Sequence, residues 1–179
     1  MQFFVPTTIV FTLLLLLSRS QGGADSVVVF NEIQYNPSGQ GEEGEWLEFF
    51  NQMGIKVDLS GWKISGIGYT FPQGTFLDSG SYLVVAKNPG PAQLGPFSGS
   101  IQNGGEHLVL FNQSGRLMDE VDFSDGGLWP ASADGSGATL AKRVPYSASA
   151  PSGNWTFSSQ SGGTPGSTNF PDANTPPPS

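Results

Sequence analysis

Few residues of this chain could make or break bonds, and their spacing decides which chemistries stay open. His107 is the only histidine and cysteine is absent, which excludes His-rich zinc sites and thiol nucleophiles. A Ser-His-Asp triad would have to be built on His107. That residue opens an apolar strand, no Gly-x-Ser-x-Gly elbow accompanies it, and a half-exposed strand-end histidine is the expectation. Glu48 stands between Trp46 and Phe50, so burial would raise its pKa and could suit it to general acid catalysis. Glycoside cleavage needs a second carboxylate roughly 5–10 Å away, a placement that sequence spacing does not supply. The expected role of Glu48 is that of a semi-buried acceptor of backbone N–H groups from a neighbouring loop.

Asp119, Glu120, Asp122 and Asp125, followed by Gly126-Gly127, offer hard oxygen ligands where Ca²⁺ could sit. They lack the Asp-x-Asp-x-Asp-Gly spacing with a distal Glu, so a solvated acidic edge is expected, with no metal or cofactor. Glu42, Glu43 and Glu45 form a second acidic cluster, read as an exposed solubilising loop. Trp129-Pro130 and Trp155 are expected in loops, where indoles could stack on sugar rings or anchor a partner. Packing over the open end of a fold is their expected use, and burial of both rings would exclude sugar stacking. Asn112-Gln113-Ser114 and Asn154-Trp155-Thr156 are acceptors for N-glycosylation in a host that has the pathway.

The elements that must position these residues are strands. After the leader no segment carries apolar residues at helical spacing without an interrupting Gly or Pro. Residues 26–35 alternate, with Val27, Val29, Ile33 and Tyr35 on one side and Val28 and Phe30 on the other. Residues 45–51 place Trp46, Glu48 and Phe50 on one face and Leu47 and Phe49 on the other, the pattern of a central strand. In the turn Asp58-Leu59-Ser60-Gly61, Asp58 can bond its own backbone and Gly61 can take a positive φ; a strand over 62–65 follows. Further strands are expected over 81–87, over 107–112 and 116–123 as a hairpin turning at Gln113-Ser114-Gly115, and over 138–144 as a weaker last strand. Short strands without helices predict an all-β sandwich or barrel.

Residues 1–24 read as a secretory signal, because Ile9 to Leu17 is almost wholly apolar and is followed by Ser18, Arg19 and Ser20. Cleavage is expected near Ser20 or Ala24, the alternative being an uncleaved anchor. Losing Arg19 leaves six basic against 15 acidic residues, so the net charge moves from −8 to −9. Such a charge opposes nucleic acid and anionic membrane surfaces, and no membrane contact is expected beyond the leader. Residues 25–170 are expected to form one domain. Residues 171–179, ending Thr175-Pro176-Pro177-Pro178-Ser179, read as a Pro-rich tail or linker to a downstream domain.

Nine words along the chain occur in one family's order. They are Val29-Phe30-Asn31-Glu32-Ile33, Trp46-Leu47-Glu48-Phe49-Phe50-Asn51, Asp58-Leu59-Ser60-Gly61-Trp62, Gly80-Ser81-Tyr82-Leu83-Val84-Val85-Ala86, Asn103-Gly104-Gly105-Glu106, Ser114-Gly115 with Asp119-Glu120-Val121, Trp129-Pro130, Asp134-Gly135-Ser136-Gly137, and Asn154-Trp155 through Gly163-Thr164-Pro165-Gly166-Ser167-Thr168-Asn169. The chain thereby resembles the lamin tail domains of secreted, mostly bacterial proteins. The resemblance implies an immunoglobulin-like β-sandwich, mostly antiparallel, without intrinsic catalysis. It makes Trp46, Glu48, Asn51, Asp58, Gly61 and Trp62 structural motif residues. Such domains accompany secreted nucleases, other hydrolases and spore-coat kinase-like proteins, and serve as attachment units. Nuclear lamin tails are linked to DNA through basic surfaces; this acidic chain departs from them, so DNA binding does not carry over. The expectation is a secreted, non-catalytic module that tethers or positions an associated domain, or binds a protein or extracellular polymer. The alternatives are a carbohydrate-binding module using Trp129 and Trp155, or the accessory domain of a hydrolase or nuclease lying beyond Ser179.

Overall fold

Short alternating apolar runs punctuated by glycine become eleven short strands in the computed structural model, which describes residues 27–171. In chain order they are β1 (Val28–Gln34), β2 (Trp46–Asn51), β3 (Val57–Asp58), β4 (Lys63–Ser65), β5 (Tyr69–Thr70), β6 (Phe76–Leu77), β7 (Tyr82–Ala86), β8 (Gly105–Phe111), β9 (Leu117–Ser124), β10 (Leu140–Lys142) and β11 (Trp155–Phe157). The expected leader over 1–24 and the Pro-rich residues from 172 onward lie outside the described residues.

A five-stranded sheet runs β11-β10-β1-β2-β7 and a four-stranded sheet runs β5-β4-β8-β9, with β3-β6 as a separate ribbon. Every strand pairing is antiparallel. The core lies between the two larger sheets, as in an immunoglobulin-like sandwich. Leu47 and Phe49 of β2 face it, and Phe49 meets Phe30 at 5.0 Å and Phe71 edge-on at 5.7 Å between ring centroids. Leu108, Leu110, Val121 and Phe123 fill it from the other side. β2 is central, between β1 and β7, and all six of its residues are buried.

β1 departs from simple alternation. Phe30 pairs with Phe49 and Glu32 with Glu48, so Asn31 is an extra residue, a β-bulge. The bulge shifts the phase by one. Val28 and Phe30 before it and Ile33 and Tyr35 after it therefore join the same core, correcting the face assignment that grouped Val29 with Ile33 and Tyr35.

Local turns follow the sequence closely. Asp58 Oδ1 accepts the Ser60 N–H at 2.9 Å and the Ser60 hydroxyl at 2.5 Å, and Gly61 sits at φ +73°. The β8–β9 hairpin closes through Asn112 N–H to Arg116 O at 2.9 Å, with Gly115 at φ +81°. Leu59 and Trp62 are buried in the core beside this frame.

Two strand assignments change. The strand expected over 138–144 contracts to β10 and is not the last, because β11 pairs with it through Leu140↔Phe157, Ala141↔Thr156 and Lys142↔Trp155. Trp155 is thus a strand residue. With three residues, β11 is too short to show a period in the sequence.

Asn51, at the end of β2, ties three segments together. Its Nδ2 donates to the carbonyls of Ile55 at 2.8 Å, Leu77 at 2.9 Å and Asp78 at 3.1 Å, while Oδ1 accepts the Met53 N–H at 2.9 Å. Asn51→Ala is expected to cost about 1–3 kcal/mol by stranding buried carbonyls. Asn51→Asp should cost at least as much, because its carboxylate would face three carbonyl oxygens. Equilibrium urea unfolding measures both, and an Asp variant as stable as wild type would contradict this role.

Candidate functional site

The residues best suited to acid–base chemistry meet where the bulge pairs Glu32 with Glu48 across β1 and β2. Both are fully buried. Glu48 Oε1 accepts Asn31 Nδ2 at 2.8 Å, and Oε2 accepts the backbone N–H of Gly166 at 2.5 Å. Glu32 accepts the Thr139 hydroxyl, the Thr164 N–H at 3.0 Å and the Thr164 hydroxyl at 3.1 Å. Asn169 closes the network, donating to the main-chain carbonyls of Asn31 at 3.1 Å and Lys142 at 3.0 Å.

Residues 163–169 are therefore a strap over the carboxyl pair, the neighbouring loop expected to satisfy Glu48. Gly163 lies at φ +67°, and a Cβ there would run into Glu32 Oε1 and Thr139. Burial, and secondarily the Glu32 charge, push Glu48 up to about 8 against the Gly166 and Asn31 hydrogen bonds. Burial also raises Glu32. Their oxygens are spent on the protein's own donors, so the pair is sealed from any substrate.

A second buried network joins the sheets. Alternation puts Asp119 on the same face as Val121 and Phe123, so it points inward, correcting the solvated edge expected for it. Its Oδ2 accepts the Phe30 N–H at 2.8 Å and the Ser149 hydroxyl at 2.5 Å. Lys142 is fully buried, donates to Ser147 O at 2.6 Å and lies 5.8 Å from the Trp155 ring centroid. Burial drives Lys142 down to about 8, opposed by the Asp119 charge; burial raises Asp119, opposed chiefly by Lys142.

Of the three aspartates weighed for calcium, Asp119 is buried while Asp122 and Asp125 are exposed, so the structure does not bring them to one surface. Among the described residues, no group of three or more His, Asp or Glu side chains converges on a metal position. His107 is half-exposed and its Nε2 lies 3.1 Å from Glu120 Oε2. Glu42 and Glu43 are exposed as expected, but Glu45 is buried, accepts the Ile101 N–H at 2.9 Å and is pushed by burial up to about 7. It stands between the 3-10 turn Gly41–Gly44 and β2, with extended backbone that leads into the buried strand. Of the glycosylation acceptors, Asn154 is already occupied, its Nδ2 donating to Ala148 O at 2.9 Å.

Trp129 and Trp155 come together as packing partners, with centroids 6.3 Å apart, and Trp129 also meets Phe123 edge-on at 6.4 Å. Trp155 is 1 % exposed and its indole N–H donates to Ser149 O at 2.7 Å, so its face is closed to sugar. Trp129 is only partly buried. It borders an open cleft of about 270 Å³ with Leu128, Arg143, Ser152, Trp155 and Phe157, between the 3-10 turn Ala131–Ala133 and β11. Sequence reasoning passed over Arg143 because nothing near it in the chain marks a site.

The antiparallel sandwich with its buried carboxyl pair defines an immunoglobulin-like module. A profile of the lamin tail domain matches residues 21–125, more than half of the 179-residue chain, and the chain belongs to that family. The family is one of non-catalytic immunoglobulin-like domains. The match ends just after β9, whereas β10, β11 and the strap complete the five-stranded sheet from outside it. No curated protein matches the chain.

The buried ionisable groups give stability a defined pH profile. Between the ordinary value of 4.5 and about 8, the folded chain keeps the Glu48 proton that the unfolded chain has lost. Stability should therefore be greatest below 4.5 and fall as pH rises to 8, with Glu45, Glu32 and Asp119 adding the same sign. Between about 8 and 10.5 the unfolded chain holds the Lys142 proton that the folded chain has lost, so stability should recover. Scanning calorimetry from pH 5 to 10 should show a minimum Tm near pH 8. Glu48→Gln should flatten the acid limb and Lys142→Met the alkaline one; a Tm that climbs from pH 5 to 8 would refute the assignment.

Proposed function

We propose that the chain is a secreted, non-catalytic attachment module that holds an associated domain against an extracellular polymer or protein. The observation that carries this reading is the division between its polar clusters. The carboxyl pair capable of acid–base work is shut beneath the 163–169 strap, while the one aromatic-bordered cleft described above is open and carries no acid–base pair. Secretion follows from the apolar leader over residues 9–17, and the net charge of −8 argues against nucleic acid as the partner. Of the two partner classes, the cleft favours a polymer, since Trp129 offers a partly open ring beside hydroxyl and glycine backbone groups. A role as the accessory domain of a hydrolase or nuclease is compatible with the same chemistry, the cleft then delivering the linked enzyme to its substrate.

Co-sedimentation of the purified full chain with cellulose, chitin, xylan and peptidoglycan tests the reading, with reducing-end release and DNA retention assayed on the same preparation. Retention on at least one polymer, no release of reducing ends and no retention of DNA are expected. Release of reducing ends that Glu48→Gln abolishes would make the chain an enzyme and overturn the proposal.

A further inference from the structure

The cleft beside Trp129 has one charged lining residue, Arg143, on a chain whose net charge is −8. The Arg143 main chain is held by its N–H bond to Asn154 O at 2.9 Å. Its guanidinium, by contrast, has no ion-pair or hydrogen-bond partner among the described residues. An arginine fork is shaped for two parallel hydrogen bonds to a carboxylate, and here no carboxylate of the described residues takes them. The same cleft is lined by the partly buried Trp129, by Phe157, by Ser152 and by Leu128, which is 87 % exposed. The cleft's volume of about 270 Å³ lies just below the ~300–1,000 Å³ usual for drug-sized ligands, and so suits one ring with its substituents.

We infer that this cleft is a subsite for a single carboxylate-bearing pyranose within an otherwise neutral glycan, its ring lying on Trp129 and its carboxylate gripped by Arg143. The inference rests on the polymer-attachment reading and sharpens it to a sugar class. Two features of the charge distribution select that class. Arg143 rewards one carboxylate at short range, while the negative field of the whole chain repels a continuous polyanion. An acidic sugar spaced among neutral ones meets both conditions. The carboxylate could belong to a uronic acid or to the lactyl ether of a muramic acid, which share this chemistry.

Isothermal titration of the full chain separates the sources. One arm compares a xylotetraose carrying a single glucuronic acid with plain xylotetraose; the other compares N-acetylglucosaminyl-N-acetylmuramic acid with chitobiose. In at least one arm the acidic sugar should bind at least tenfold more tightly than its neutral counterpart, and that arm identifies the source. Arg143→Gln should erase that advantage while leaving the Tm unchanged, because the side chain it removes has no bond among the described residues to lose. Trp129→Ala is a poorer test, since Trp129 packs on Phe123 and Trp155. An acidic sugar that binds no better than its neutral counterpart in both arms, an advantage that survives Arg143→Gln, or no binding of any of the four sugars would each overturn the subsite. The polymer co-sedimentation of wild type against Arg143→Gln keeps the two proposals distinct: retention that survives the substitution leaves attachment standing while the subsite falls.

Discussion

Two carboxyl groups buried side by side on adjacent strands set the terms for the rest of this fold. Glu32 and Glu48 face each other in register at the centre of the five-stranded sheet. Leaving either without partners would cost several kcal/mol. Their donors come from Asn31 beside them and from Thr139, Thr164 and Gly166 far along the chain. The end of the domain must therefore come back over its beginning before the first hairpin is satisfied. That dependence explains why the sheet is completed by β10 and β11 and closed by the strap, although the family match ends at residue 125.

The Asn31 bulge makes the arrangement possible. By shifting phase between Phe30 and Glu32, it keeps aromatic and aliphatic residues on the core side throughout β1 while turning Glu32 toward Glu48 and the strap. On the other side, Asp119 takes the Phe30 N–H just before the bulge and links β1 to the opposite sheet. A domain without cysteine thus ties its two sheets together with buried hydrogen bonds. The consequence for function is direct. Carboxylates that resemble a catalytic pair are held by the protein's own donors, and the open cleft lies apart from them.

Much of this was legible from local pattern. The central β2, the Asp58 to Gly61 turn and the Gly115 hairpin follow from two-residue alternation and from positions that demand positive φ, which are properties of a few adjacent residues. Glu48 was readable as a loop-satisfied acceptor because its aromatic neighbours on the strand face announced burial. The solvated edge expected at Asp119 was wrong for a related reason. Asp119 alternates with Val121 and Phe123, so the signal that would have turned it inward was present but was outweighed by the acidic residues beside it. Glu45 was misplaced in the same way, grouped by charge with Glu42 and Glu43 although it immediately precedes β2 and is buried.

By itself the sequence determined the all-β class, the sandwich, the family and the exclusion of thiol nucleophiles and His-rich zinc sites, because these depend on composition, strand period and short motifs. Only the tertiary structure decided that Asn31 is a bulge, that residues 163–169 seal Glu32 and Glu48, that Trp155 is a closed strand residue, and that Arg143 stands beside Trp129. Each of these is a relation between segments far apart in the chain. Burial, hydrogen-bond satisfaction and the neighbours of a charge are fixed by which surfaces pack together, and no local period encodes that choice.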